Sequence, residues 1–295
     1  MHAGLGLSLG GVLNIALDPF FVLPFGLNMN IKGAAIATLI SNVVTTLYFA
    51  ILLIVIRKKS VVSFSPKKAC LAIKEKIARN VLFTGLPSAL QTMLSAVSNL
   101  VLNSLMIGYG ETAEAAIGVT KKIDAVPFGM VTGLAQGAAP LIAYNNGAKK
   151  YDKMKTTLKL SLCYCVGLAI TVLIVVESAA GALIEVFIKD ASTVTYGEKF
   201  LRLHCASLPF MAVTFMLVSY FQAVGAKGKA FLLSIIRKGI VDIPLMYLLN
   251  VLIPVYGIVA CQPITDVISA TVGVILYVLW KKKFQKTEEE QEIIV

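Results

Sequence analysis

Asp18 stands inside an apolar run, four residues after Asn14 and directly before Pro19. On a helix the four-residue spacing puts the Asn14 amide and the Asp18 carboxylate on one face. Pro19 has no N–H, so the carbonyl of Ile15 loses its usual donor. A carboxylate, an amide oxygen and a freed carbonyl can then converge within one turn. Sodium and other hard cations bind oxygen sets of this kind. A carboxylate in a low-dielectric setting can alternatively carry a proton near neutral pH. The plainer reading is that Asp18 holds a helix break through hydrogen bonds. A second carboxylate, Asp242, follows Lys238 and Arg237 by four and five residues, a spacing that suits an intrahelical ion pair. Gln91, Ser95, Asn99 and Asn103 recur every four residues and form a polar stripe that should face protein or water. We take Gln91, Asn99, Asn103 and Asp242 as candidates for a translocation path. Lys121 and Asp124 are three apart and are expected to pair, whereas His204, beside Arg202, is expected to be a solvated interfacial histidine.

The elements that must carry these groups are membrane helices. The chain has 295 residues, of which 57% are hydrophobic and only 15% charged. Mean hydropathy is +0.82. A soluble domain carries about 25% charged residues, so a soluble enzyme with this composition would expose too much apolar surface. An apolar stretch of about 20 residues crosses a bilayer. Eight such stretches are predicted: Leu7–Phe25, Gly33–Ile56, Val81–Ile107, Ala115–Tyr144, Leu158–Ala180, Phe200–Val224, Phe231–Ile253 and Gly257–Trp280. The fold class is therefore all-α, a polytopic membrane protein of eight transmembrane helices. Pro19, Pro127, Pro140, Pro209, Pro244 and Pro263 lie within these spans, a pattern of interrupted helices common in transporters.

The net charge of +11 is not a nucleic-acid signal, because the basic residues sit in short segments between apolar runs. Twenty-one of the 27 fall on one side of the predicted topology and four on the other. The rich side should be cytoplasmic, which places the C-terminus inside. The five cysteines form no C-x-x-C motif, and four of them (all but Cys70) lie in apolar runs as small hydrophobes, so neither a metal site nor a cofactor is expected. Gly129, Gly133 and Gly137 form a small-residue ridge suited to close helix packing.

The first two spans resemble the last two at a constant spacing of 224 residues, which relates Asp18 to Asp242 and Gly33 to Gly257. Ile40-Ser41-Asn42-Val43-Val44-Thr45 likewise matches Ile264-Thr265-Asp266-Val267-Ile268-Ser269. Both copies run in the same direction, so the repeat is parallel. A complete unit would have six spans, of which the first copy shows two. The expectation is that about four helices precede Met1 in the full design. The domains are then residues 1–56, the remnant of an N-terminal lobe; 57–80, a basic cytoplasmic linker; 81–280, a C-terminal six-helix lobe; and 281–295, a cytoplasmic tail.

Gly11 to Phe21 (GVLNIALDPFF), followed by Gly33-Ala34-Ala35-Ile36-Ala37-Thr38, resembles the fifth and sixth helices of the multidrug and toxic compound extrusion (MATE) transporters. Gly85 to Gln91 (GLPSALQ) resembles the start of their seventh helix, Gln136 to Ala148 (QGAAPLIAYNNGA) the end of their eighth, and Phe221 to Gly225 (FQAVG) their tenth-to-eleventh junction. The resemblance covers nearly the whole chain. It implies two six-helix lobes around a central cavity in the plasma membrane. It also implies a secondary active antiporter that exports small organic cations or drugs against sodium ions or protons. It places a cation site on Asn14 and Asp18 together with Thr38 of the next helix; the family's further acidic partner on its first helix has no counterpart here. A flippase for lipid-linked precursors shares this two-lobed design but calls for basic residues in its cavity. A remnant that needs a partner half is the other alternative. Enzyme and ATPase motifs are absent: there is no H-E-x-x-H or G-x-S-x-G, and Gly225–Lys229 lacks the phosphate-loop spacing.

Overall fold

The computed structural model describes residues 2–23, 26–56 and 77–292, with side chains described for 4–23, 26–56 and 77–282. The described residues are helical and contain no strand. They form α1 (His2–Val22), α2 (Asn30–Ile56), α3 (Ile77–Ile107), α4 (Glu111–Gly147), α5 (Tyr151–Glu185), α6 (Ala191–Cys205), α7 (Leu208–Ala223), α8 (Lys227–Ile235), a π-helical segment (Ile236–Val241), α9 (Asp242–Leu252) and α10 (Tyr256–Glu292). Among them, six helices are long and apolar enough to cross a membrane, and a seventh is added if α6 and α7, bent by 41° at their junction, form one span. The expected span Phe231–Ile253 is not one uninterrupted helix. Pro244 offers no N–H to the carbonyl of Ile240, and the turn before it widens into the π-helical segment. Most of the expected linker, residues 57–76, lies outside the described residues together with Cys70, and α3 begins at Ile77.

The chain divides into two compact units, with the boundary between Ile77 and Ala78. In the first, α1 and α2 form an antiparallel hairpin. Gly33 of α2 lies where a β-carbon would collide with the backbone of Phe21, so only glycine permits this approach. Gly257 of α10 stands in the same relation to the backbone of Leu249. In the second unit, α4, α5, α7 and α10 supply a core that includes Val131, Ile142, Cys165, Met216, Tyr220 and Phe221. A smaller cluster joins α3, α4, α6, α9 and α10 through Met106, Ile117, Phe200 and Met246. Large apolar side chains such as Ile15, Ile54, Ile174 and Val251 face outward, as a lipid-facing surface requires. The expected glycine ridge makes no close contact: a β-carbon on Gly129, Gly133 or Gly137 would meet nothing within 4 Å.

Candidate cation site and cargo cavity

In the first unit α1 sets Asn14 and Asp18 one turn apart, and α2 brings Thr38 across. Asn14 Nδ2 donates to Thr38 Oγ1 at 3.4 Å, and Thr38 Oγ1 donates to the Ala34 carbonyl at 2.9 Å. Asn14 and Thr38, 24 residues apart, are therefore brought together. Asp18 is half-buried on the same face of α1, and its Oδ1 is shielded from solvent without a hydrogen-bond partner. A shielded carboxylate oxygen without a donor is unfavourable by about 1–3 kcal/mol or more. A cation or a proton at that oxygen relieves it.

In the second unit a cavity of about 930 Å³ opens between α3, α4 and α7. Gln91, Ser95 and Asn99 of the polar stripe line it, facing Phe128, Gln136 and Gln222. Gln222 Nε2 donates to Ser88 Oγ at 2.7 Å, while Gln91 Nε2 is buried without a partner. The lining holds amides, hydroxyls and aromatic rings but neither a carboxylate nor an ammonium group. Phe128 and Phe215 meet edge to face, with centroids 5.5 Å apart. Asn103 lies outside this lining and accepts a hydrogen bond from Lys121 Nζ at 3.2 Å.

Ser95, Asn99 and Phe128 also border a second cavity of about 210 Å³, beside which the buried charges gather. Arg237 Nε lies 2.5 Å from Asp266 Oδ1, and its Nη2 lies 3.3 Å from Oδ2. The same guanidinium stacks over Phe215 at 4.8 Å. Lys238 Nζ donates to Asp242 Oδ2 at 3.1 Å and to Gln262 Oε1 at 2.7 Å. Gln262 Nε2 donates to Asp266 Oδ2 at 2.9 Å, and Ser98 Oγ to Asp242 Oδ2 at 2.5 Å. Asp242 and Asp266 are both fully enclosed. Asp242 thus does not line the large cavity; its carboxylate is held by Lys238 and Ser98.

Two expectations about nearby residues are corrected. Lys121 does not pair with Asp124 but turns to Asn103. Asp124 instead meets His204, with Oδ2 3.2 Å from Nε2. His204 is not solvated: its side chain is only 11% exposed and lies against Asp124 of α4. Sequence reasoning assigned no role to Asp266, Ser98 or the Asp124–His204 pair. Asp266 left a signal, a carboxylate inside an apolar span four residues after Gln262. Ser98, seven residues after Gln91 and three after Ser95, shares their helix face, but its partner 144 residues away left no local signal.

The MatE family model matches residues 87–248, more than half of the chain. The chain belongs to the MatE family. This MatE chain is 30% identical over 286 residues to the multidrug export protein MepA of Staphylococcus saprophyticus, an alignment covering 97% of the chain and 62% of MepA. The MepA protein of Staphylococcus haemolyticus is 28% identical over 282 residues, covering 96% and 60%. Among solved structures, a multidrug resistance MATE family transporter of the MOP superfamily in an outward-facing conformation superposes with a TM-score of 0.83 at 24% identity, covering 96% of the chain and 62% of that protein. The bent form of the Vibrio cholerae MATE transporter VcmN gives 0.78 at 21% identity, covering 94% and 61%. These structures share the fold. The MatE chain spans about three-fifths of the length of the relatives it matches.

Proposed function

We propose that the chain works in ion-coupled export of drugs and small organic cations across the plasma membrane, with Asp18, Asn14 and Thr38 holding the coupling cation, sodium or a proton. One observation carries the coupling reading: Asp18 presents a shielded Oδ1 with no partner, one turn from the linked Asn14–Thr38 pair. The relatives named multidrug export proteins support a drug as cargo. The large cavity offers cargo neutral amides and aromatic faces, which suit bulky delocalised cations. We read Gln91 and Asn99 as cargo contacts, Asn103 as part of the path beyond them, and Asp242 as structural. The topology we propose has eight crossings, counting α6–α7 and α8–α9 as one bent span each, with the C-terminus cytoplasmic. Residues 1–56 belong to one lobe, 57–80 form a basic cytoplasmic linker, 81–280 make up the second lobe and 281–295 the tail.

The test is efflux of ethidium from proteoliposomes under an imposed sodium or proton gradient. Asp18→Asn should abolish gradient-driven efflux, and efflux that persists in this variant sinks the coupling role. Efflux only after the chain is extended by the preceding helices of a MepA protein would favour the reading as a remnant needing its other half. Movement of a phosphate-bearing lipid headgroup in place of ethidium would favour the flippase, which Lys121 at the smaller cavity would suit.

A further inference from the structure

The helix pair α1–α2 and the pair formed by α8–α9 and α10 compare position by position across the 224-residue spacing. Asp18 corresponds to Asp242, Asn14 to Lys238, Thr38 to Gln262 and Asn42 to Asp266. The contacts support this register independently of sequence similarity. Asn14 reaches Thr38 over 24 residues, and Lys238 reaches Gln262 over the same 24. In the first pair the position is a neutral amide, and the carboxylate one turn on keeps a shielded oxygen without a partner. In the second pair the same position carries an ammonium group. It is bound to the equivalent carboxylate at 3.1 Å and to the equivalent partner across the hairpin at 2.7 Å. The lysine side chain is only 12% exposed. Gln262 aims its oxygen at the ammonium because its Nε2 is held by Asp266, itself gripped by Arg237. A compact positive charge among fixed oxygens is also what a free monovalent cation requires.

We infer that Lys238 is a tethered cation. Its ammonium fills, in the second helix pair, the position that an exchangeable monovalent cation takes in the first. The inference rests on the reading of Asp18 as that exchangeable site. It means that the second pair is permanently loaded and that the chain exchanges one coupling cation, at Asp18. An ordinary helix-surface ion pair would account for the contact with Asp242. It would not account for burial, or for the second contact at the repeat-equivalent position.

The test is cation binding by the full chain purified in detergent, read by sodium-23 NMR and by thermal shift. Sodium chloride or methylammonium chloride is the probe, at pH 6 and pH 8. Lys238→Ala should gain one saturable site for sodium or methylammonium over the wild type, and Lys238→Ala/Asp242→Asn should lose that gain. A folded Lys238→Ala chain that binds no more cation than the wild type overturns the inference. So does a gain that survives Asp242→Asn. Lys238→Ala that unfolds and is not restored by either cation counts against it as well. The converse variant, Asn14→Lys, should weaken wild-type cation binding by about tenfold or more, because it places a fixed charge beside Asp18; unchanged binding contradicts the tether. A response to pH with none to sodium identifies the proton as the exchanged cation. If the wild type responds to neither, the reading of Asp18 fails, while a cation gain in Lys238→Ala still upholds the ammonium's role.

Discussion

The two helix pairs use one backbone plan to manage buried charge in opposite ways. In α1–α2 the plan is sparse: Leu13 and Asn42 occupy the positions that Arg237 and Asp266 fill in the second pair, and one carboxylate oxygen stays unsatisfied. In α8–α9 with α10, two ion pairs, an amide and a serine hydroxyl close the network. The turns differ too. The α1–α2 connection takes its left-handed residues from Asn28 and Asn30, which tolerate that conformation, whereas the α9–α10 turn forces Val255 to a φ of 66°. A closed network holds one arrangement because each charge fixes its neighbour's place. An open carboxylate leaves room for a ligand to choose between arrangements. On the proposed function, that difference would separate a helix pair that exchanges an ion from one whose charges are already closed.

The largest effect is expected at Arg237. Arg237→Leu strands Asp266 without its counter-charge and should destabilise the protein by about 3–5 kcal/mol, measured by thermal or chemical unfolding. Adding Asp266→Asn, which copies the Leu13/Asn42 arrangement, should recover most of that loss. If the double variant is as unstable as the single one, the two pairs are not equivalent scaffolds. Asp242→Asn should also destabilise by a few kcal/mol, since it leaves the Lys238 ammonium buried and unpaired. Its counterpart Asp18→Asn should leave stability without added cation unchanged or raise it by about 1 kcal/mol, because it removes a shielded charge with no partner. A large loss in Asp18→Asn would show that Asp18 is structural.

Smaller effects sharpen the contrast between the turns. Val255→Asn should stabilise by about 1 kcal/mol, since asparagine accepts the left-handed conformation that a β-branched residue resists. Asn28→Val should do the reverse. The smallest effect belongs to Asp190, an exposed carboxylate outside both pairs. The side chains of Ser192 and Thr193 and the Thr193 N–H donate to it, which holds its carboxyl below the usual carboxylate range. A lowered value in the folded state means that the cap stabilises α6 above the ordinary carboxylate range and weakens as pH falls through the folded value. The melting temperature should therefore dip slightly on acidification in the wild type, and Asp190→Ala should lose that dip.

The helical class and six or seven of the eight expected spans were legible in the residues themselves, as was the 24-residue spacing that both helix pairs share. Burial in lipid demands long apolar runs with internally satisfied backbones, and such runs are visible in any one stretch of chain. The Asn14–Asp18 face and the Lys238–Asp242 pair were legible for a similar reason: four residues is a helical turn, so proximity follows from spacing alone. Thr38 was reached only through the family resemblance, because its meeting with Asn14 spans a hairpin. The Asp124–His204 contact and the Ser98–Asp242 bond join residues 80 and 144 apart. No periodicity encodes such distances. The bend at Cys205–Leu208 and the π-helical turn at Ile236 rotate side chains off the phase that an ideal helix would assign. Local spacing determined which carboxylates lay inside spans and which neighbours shared their turn. Packing between distant helices decided which of those charges were neutralised and which were left open, because the partner of a buried charge is set by three-dimensional proximity rather than by position along the chain.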